Sequence, residues 1–273
     1  MYISQRFRHR VDNGFSRLEA NTRAKKTIVI MHGITGSRHD MAILAREYVA
    51  LGYAVYAPDL PGHGDTPLLN IRSFDDLARW LDDFVQMINR TPTILLSNSY
   101  ASAIAYEYMK RGFLPAQTHV ILACPTPSVA WMSRMLQKAN RALPESVAWT
   151  FYTLPVLNWL RTQVLYKGDR AVSKQWLFES ERQKRRLVAP KAASILTELL
   201  NKNNPYTVPL PDNIQSRITV ILGERDNVVT SQAKQQIQAL LPHARYIFVA
   251  NAGHILHFEA VEQMSSGIDA ANR

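Results

Sequence analysis

The sequence predicts an α/β fold: a mostly parallel twisted sheet with helices on both faces, plus one inserted helical segment. Three observations carry this reading. Short β-branched apolar runs alternate with helical stretches from residue 27 to 124, and again from about 218. Those runs are apolar throughout, as in strands buried on both faces, and do not alternate apolar with polar. Between 125 and 208 the alternation stops, and only helical patterning remains.

The elements follow in order. "YISQRF" and "GFSRLEA", in the first 20 residues, predict an antiparallel edge hairpin. "TIVIMHG" (27–33) is a buried strand that ends in glycine. "DMAILAREYVALGY" (40–53) has helical spacing and a Gly stop, and "AVYAPD" (54–59) is the next strand. "SFDDLARWLDDFVQMI" (73–88) is a helix with Ser73 at its N-cap and Asp76 three residues on, close to a capping box. "TILL" (93–96) is a strand, "ASAIAYEYMKRG" (101–112) a small-residue helix, and "HVILAC" (119–124) a strand. After the gap come strand "ITVILG" (218–223), a helix at 231–241, strand "YIFVA" (246–250) and a last helix from about 256. The predicted organisation is a core of residues 1–124 and 209–273, with residues 125–208 as a helical cap over the C-terminal edge of the sheet. In open α/β sheets that edge is where ligands bind.

Composition excludes several classes. With 47% hydrophobic and 20% charged residues the chain can bury a sizeable core, and no repeat or low-complexity tract stands out. A single cysteine, Cys124, rules out a disulfide framework or a Cys-rich metal site; at the end of an apolar run it reads as a buried thiol. The basic N-terminus lacks the apolar stretch of a secretory signal, and no run reaches the roughly 18–20 apolar residues of a membrane span. The expectation is a cytoplasmic protein. Of the net charge of +10, residues 125–208 carry +8, from 13 Lys/Arg against 5 Asp/Glu. Such a local excess suggests an acidic partner. Nucleic acid is a poor fit, because no recognition motif accompanies the charge.

The chemistry centres on "ILLSNSYAS" (94–102), where a strand runs into a sharp turn and a helix. An elbow of this kind presents its central residue at the strand end and needs small residues two before and two after. Ser97 and Ala101 meet that need, and Ser99 is central. A serine nucleophile also needs a base, an orienter for the base and donors for an oxyanion. "GERDNVV" (223–229) puts Asp226 in the turn after one strand, and "NAGHILHFE" (251–259) puts His254 after the next. Each of the three lies just past the C-terminal end of a different strand, so they can converge. "HGITGS" (32–37) and the Gly-rich turn "DLPGHGDT" (59–66) follow two further strands. The competing side chains read as structural. Ser97 and Ser102 are packing or capping residues, His257 is off the turn, His32 and His63 brace loops, and Asp212 precedes its strand. Glu224 is the rival to Asp226. No His/Asp/Glu cluster has metal-ligand spacing, and neither metal nor cofactor is expected.

"HGITGS", "DLPGHGDT", "SNSYA", "GERD" and "NAGH" together resemble the α/β-hydrolase superfamily, of serine-esterase type with a helical cap, over residues 27–124 and 213–270. Ser97 and Ala101 replace the usual glycines, and Thr66 stands where Ser is commoner. The resemblance implies a catalytic triad of Ser99, Asp226 and His254, with oxyanion N–H groups from Ile34 and Tyr100. It implies hydrolysis of carboxylic esters or thioesters of an apolar acyl group through an acyl-enzyme. Carbon–carbon bond hydrolysis uses the same triad, and a non-catalytic small-ligand receptor uses the same fold.

Four of the five tryptophans, Trp131, Trp149, Trp159 and Trp176, fall in the expected cap. They predict either cap helices packed on the core or the walls of an acyl tunnel. "ERQKRR" (181–186) is the densest charge run. An acyl carrier protein, an acyl-coenzyme A or an anionic membrane surface would complement it. In charge and architecture the chain is similar to the esterases that release methyl esters from pimeloyl-carrier protein in biotin synthesis.

Overall fold

The computed structural model describes residues 7–127, 144–168 and 171–269. Among these, one eight-stranded sheet holds β1 (Phe7–Asp12), β2 (Phe15–Ala20), β3 (Thr27–Met31), β4 (Ala54–Pro58), β5 (Ile94–Asn98), β6 (His119–Ala123), β7 (Ile218–Gly223) and β8 (Arg245–Val249). Their spatial order is β1-β2-β4-β3-β5-β6-β7-β8. β1–β2 and β2–β4 pair antiparallel, and the remaining pairs are parallel.

The edge hairpin exists: β1 and β2 pair antiparallel from Phe7 onward, and Tyr2 to Arg6 of its first predicted strand lie outside the described residues. Asp12 sits opposite Phe15, which leaves a two-residue loop of Asn13 and Gly14, both at positive φ (50° and 78°). An Asn-Gly loop of this form matches the right-handed twist of the strands it joins. Arg8 and Arg10 on β1 are exposed, as suits an outer edge.

The helices before the insertion are α1 (Ala42–Ala50), α2 (Phe74–Met87) and α3 (Tyr100–Lys110). Ser73 caps α2 in a full capping box: its hydroxyl accepts the Asp76 N–H at 3.2 Å, and the Asp76 carboxylate accepts the Ser73 N–H at 2.9 Å. Between β6 and β7 lie α4 (Glu145–Tyr152), α5 (Pro155–Leu165), α6 (Ala171–Leu187), α7 (Pro190–Lys202) and the short α8 (Asp212–Gln215). Pro155 and Pro190 open α5 and α7, where a missing N–H costs nothing. After β7 come α9 (Ser231–Leu240), α10 (Leu256–Glu259) and α11 (Val261–Asp269). Trp131 lies outside the described residues.

Strand order fixes where a site can form. The chain steps from β3 to β4 in one direction across the sheet, then from β5 through β8 in the other. Right-handed crossovers therefore put α1 on one face and α2 and α3 on the opposite one. Contacts agree: α2 packs on α3, and α1 packs on α11. β3, β4 and β5 are buried along their whole length, which explains their unbroken apolar runs. The direction reverses at β3, so the loops after β3 and β5 open side by side at the switch point.

Candidate active site

Ser99 stands between β5 and α3 at φ 54°, ψ −114°, in the left-handed half of backbone space. A non-glycine residue is held there only by its surroundings. The Ser99 N–H donates to the Ala123 carbonyl at 2.8 Å, and its carbonyl accepts the Ser102 N–H at 3.0 Å. Its neighbours Asn98 and Tyr100 are buried while Ser99 keeps partial exposure, so the turn lifts this one side chain out of the sheet. Ser97 and Ser102 are fully buried and serve the frame. Ser97 Oγ donates to the Ile121 carbonyl at 3.1 Å, and Ser102 Oγ to the Ser97 carbonyl at 3.0 Å.

The strand-end turns after β7 and β8 reach the same point. His254 Nε2 is 2.9 Å from Ser99 Oγ, and His254 Nδ1 is 2.8 Å from Asp226 Oδ2. A carboxylate can only accept, so Nδ1 carries the hydrogen and Nε2 accepts from the serine hydroxyl. Asp226 is itself oriented: Oδ1 accepts the N–H groups of Val228 (2.7 Å) and Val229 (3.0 Å). Burial would push its carboxyl up, yet the His254 imidazole and these N–H groups outweigh that and hold it below the usual carboxylate range. Two glycines let the turns approach. A Cβ on Gly223 would lie 2.1 Å from the Gly253 carbonyl oxygen, and one on Gly253 would lie 2.4 Å from that of Leu165.

The loop after β3 flanks the serine. A Cβ on Gly33 would be 3.4 Å from Ser99 Cβ. Ile34 follows, and the Gly36 N–H closes the turn onto the Gly33 carbonyl at 3.0 Å. His63 Nε2 donates to the Ile34 carbonyl at 2.7 Å, which fixes that peptide. His32 donates from Nδ1 to the Gly33 carbonyl (2.7 Å) and accepts the Leu60 N–H at Nε2 (3.0 Å). Burial, then the neighbouring His63, pull His32 down to about 3, so it stays neutral and keeps that tautomer. The Tyr100 N–H is the first of α3, among those a helix leaves without an internal partner. Asp59 anchors the far side: it accepts the Arg38 N–H (2.8 Å) and the Ser16 hydroxyl (2.7 Å), and pairs with the Arg38 guanidinium. A Cβ on Gly64 would collide with that pair, which accounts for the Gly-rich turn.

The rivals fall elsewhere. Asp212 is exposed and lies 3.7 Å from His243, and Glu224 is exposed. His257 is buried against Phe258, and burial, then His254, bring it down to about 3. Ligand-type atoms of Cys124, Asp226 and His254 come within 4.8 Å of one another. Asp226 and His254 already spend theirs on each other, and burial holds the Cys124 thiol in its neutral form, so the cluster suits proton traffic better than a cation.

Sequence reasoning missed how the inserted helices touch these loops. Lys184 Nζ donates to Thr35 Oγ1 at 3.1 Å and pairs with Glu181, which also pairs with Arg161 at 3.0 Å. Ser180 Oγ donates to Asp40 Oδ1, while the Ser37 N–H donates to Asp40 Oδ2 at 3.0 Å. On the other side the His254 N–H donates to the Leu165 carbonyl at 3.3 Å. Glu259 Oε2 accepts the N–H groups of both Gly253 (2.9 Å) and Lys167 (2.8 Å). "ERQKRR" thus contains a sealed pair, Glu181 and Lys184, which a charge count does not reveal.

A family model described as an alpha/beta hydrolase family matches residues 28–265. The chain belongs to the alpha/beta hydrolase family. Among curated proteins it is 34% identical over 107 residues to Phospholipase YtpA of Bacillus subtilis (strain 168), covering 36% of this chain. That alignment spans only 39% of the phospholipase's length. It is 22% identical over 254 residues to Lipase 1 of Psychrobacter immobilis, covering 90% of this chain and 77% of that one. Solved structures of similar fold include an esterase from Exiguobacterium antarcticum (TM-score 0.74, 12% identity, 95% of this chain and 96% of that one). Another is a membrane phospholipase A (TM-score 0.73, 20% identity, 97% and 85%). In fold the chain is thus similar to known esterases and phospholipases.

Proposed function

We propose that the protein is a serine hydrolase that cleaves carboxylic esters of an apolar acyl group by two-step acyl transfer. The observation that carries this is the hydrogen-bonded chain Ser99 Oγ–His254 Nε2 and His254 Nδ1–Asp226 Oδ2, at 2.9 and 2.8 Å, with Ser99 in left-handed geometry. His254 Nε2 takes the Ser99 proton as Oγ attacks the acyl carbonyl. Asp226 holds the ring in the accepting tautomer and stabilises the imidazolium. The backbone N–H groups of Ile34 and Tyr100 receive the oxyanion; losing one such donor typically costs about 2.7–4 kcal/mol of barrier. His254 then protonates the leaving oxygen, and water activated at Nε2 hydrolyses the acyl-enzyme. Residues 125–208 act as a cap, since their helices hydrogen-bond both the Ile34 loop and the His254 loop. The relatives' names, a phospholipase and a lipase, support an ester with an acyl chain rather than a carrier-bound methyl ester.

The test is a panel of p-nitrophenyl esters and acyl thioesters of increasing chain length, run on wild type beside Ser99→Ala. Hydrolysis by the wild type that rises with acyl length and vanishes in the variant is expected. Equal turnover by both proteins would reject the reading. Tight ligand binding without turnover would favour a receptor.

A further inference from the structure

Helix α5 is amphipathic in the inverted sense. Its buried residues are the polar Asn158 and Thr162, and Arg161 turns inward to Glu181 and over the Tyr152 ring at 3.9 Å. Of its apolar residues, Leu157 and Leu165 are half-buried, while Val156, Trp159, Leu160 and Val164 are 46–61% exposed. Their spacing places them on one stripe of the helix. Neighbouring α4 adds Phe151 (53%) and Val147 (39%), one turn apart. The core's exposed large apolar residues, Val11, Leu51, Leu69 and Phe248, are far apart along the chain, and the inserted segment adds Val172, Phe178 and Val208. A water-soluble surface does not normally gather apolar side chains while burying polar ones.

Charge selects the occupant. Lys167 and Lys174 both hydrogen-bond Gln163, beside Val164 at the end of the stripe, at 3.2 and 3.0 Å. The segment 125–208 as a whole carries +8. A second copy of this chain would bring the same positive field against its own. An anionic lipid surface satisfies both features: aliphatic and indole groups sink below the headgroups, and ammonium groups meet the phosphates. An 11-residue helix is about 16 Å long, too short to span a bilayer but suited to lying in its surface.

We propose that the outer face of α5, with Phe151 and Val147, is a docking surface for anionic lipid aggregates. Docking needs no chemistry at Ser99. Only its consequence, that the hydrolysed ester is drawn from such an aggregate, rests on the hydrolase reading. The position is apt, because the Leu165 carbonyl at the end of α5 holds the His254 N–H.

The experiment measures co-sedimentation with vesicles of phosphatidylcholine, with and without phosphatidylglycerol. The proteins are wild type, Ser99→Ala, the double variant Trp159→Ser/Leu160→Ser, and Lys174→Gln. Wild type and Ser99→Ala should bind the phosphatidylglycerol vesicles alike. The double variant should lose about tenfold or more in affinity, because the exposed halves of two large apolar side chains are lost. Lys174→Gln should lose about fivefold, and only on anionic vesicles. Thermal midpoint and hydrolysis of a short soluble ester should be unchanged in the double variant. Absence of vesicle binding, or equal binding by the double variant, overturns the proposal. So does a dimer, or capture by an acidic protein, that the double variant abolishes while vesicle binding persists. Because Ser99→Ala is included, failure of the hydrolase reading leaves the docking result readable.

Discussion

Asp226→Asn probes the hydrogen-bonded chain at its least exposed member. Oδ1 accepts two backbone N–H groups, from Val228 at 2.7 Å and Val229 at 3.0 Å. An asparagine must keep its carbonyl oxygen there. The opposite orientation sets donor against donor and leaves two buried N–H groups unpaired, at about 1–3 kcal/mol each. The new NH2 then faces His254 Nδ1 at the 2.8 Å position, where it can only donate. Nδ1 becomes the acceptor and the ring hydrogen moves to Nε2, facing Ser99 Oγ. In that tautomer the ring cannot take the serine proton, and no carboxylate stabilises the imidazolium. The expected loss in kcat is about 10^3–10^4-fold, or about 4–5.5 kcal/mol of barrier. KM should change little, since the Asp226 side chain is fully buried. The assay is kcat and KM on a short p-nitrophenyl ester, with thermal unfolding followed from neutral to acid pH. Because the Asp226 carboxyl is held below its ordinary range, its stabilisation is present above the unfolded value of about 3.9 and fades as pH falls through the folded one. The variant lacks that slope, so the two unfolding curves should converge in acid. A variant whose kcat/KM stays within about tenfold of wild type would refute the tautomer argument.

Gly223→Ala should destabilise the protein by about 2–3 kcal/mol, because its Cβ meets the backbone carbonyls of Gly253 and Ala252 at 2.1 and 2.5 Å; an unchanged urea midpoint would refute this. Burial lifts Asp40 to about 6, against the pull of Lys184 and of hydrogen bonds from Ser180 and Ser37. The folded state therefore binds more protons than the unfolded one between about pH 4 and 6, and its stability declines as pH rises through that window. Asp40→Asn should remove about 2–3 kcal/mol of that decline, which unfolding midpoints across the window will read. Lys184→Met leaves the 2%-exposed Glu181 with Arg161 alone and should cost about 3 kcal/mol at neutral pH. Burial opposes the Lys184 charge, but Glu181 outweighs it and raises the pKa. Its stabilisation is therefore full below about 10.4 and is lost as pH rises through the folded value, so the gap between variant and wild type should shrink there.

The sheet was legible because a strand buried on both faces has to be apolar throughout, and β3 to β7 are written that way. The three converging side chains were legible because each follows such a run by a few residues and each turn must be small. Asn13-Gly14 was equally readable as the two-residue loop of the edge hairpin. The inserted helices were less so. Lys184 and Glu181 neutralise one another across a single helical turn, so a charge run concealed a buried pair that braces Thr35. Trp159 was expected to face the core or an acyl tunnel, and instead it is 52% exposed. Periodicity marks one apolar face of a helix, but which face turns inward depends on partners distant in sequence, here Arg161 with Glu181.

The central claim is that the Ser99 hydroxyl, with its proton accepted by His254, is the nucleophile. Incubation with a fluorophosphonate, followed by intact-mass and peptide analysis, tests it most directly. One adduct per wild-type chain, on Ser99, and none on a Ser99→Ala variant with the same thermal midpoint is the predicted result. An adduct on Ser99→Ala, or a wild type that hydrolyses esters while its Ser99 stays unmodified, would contradict it.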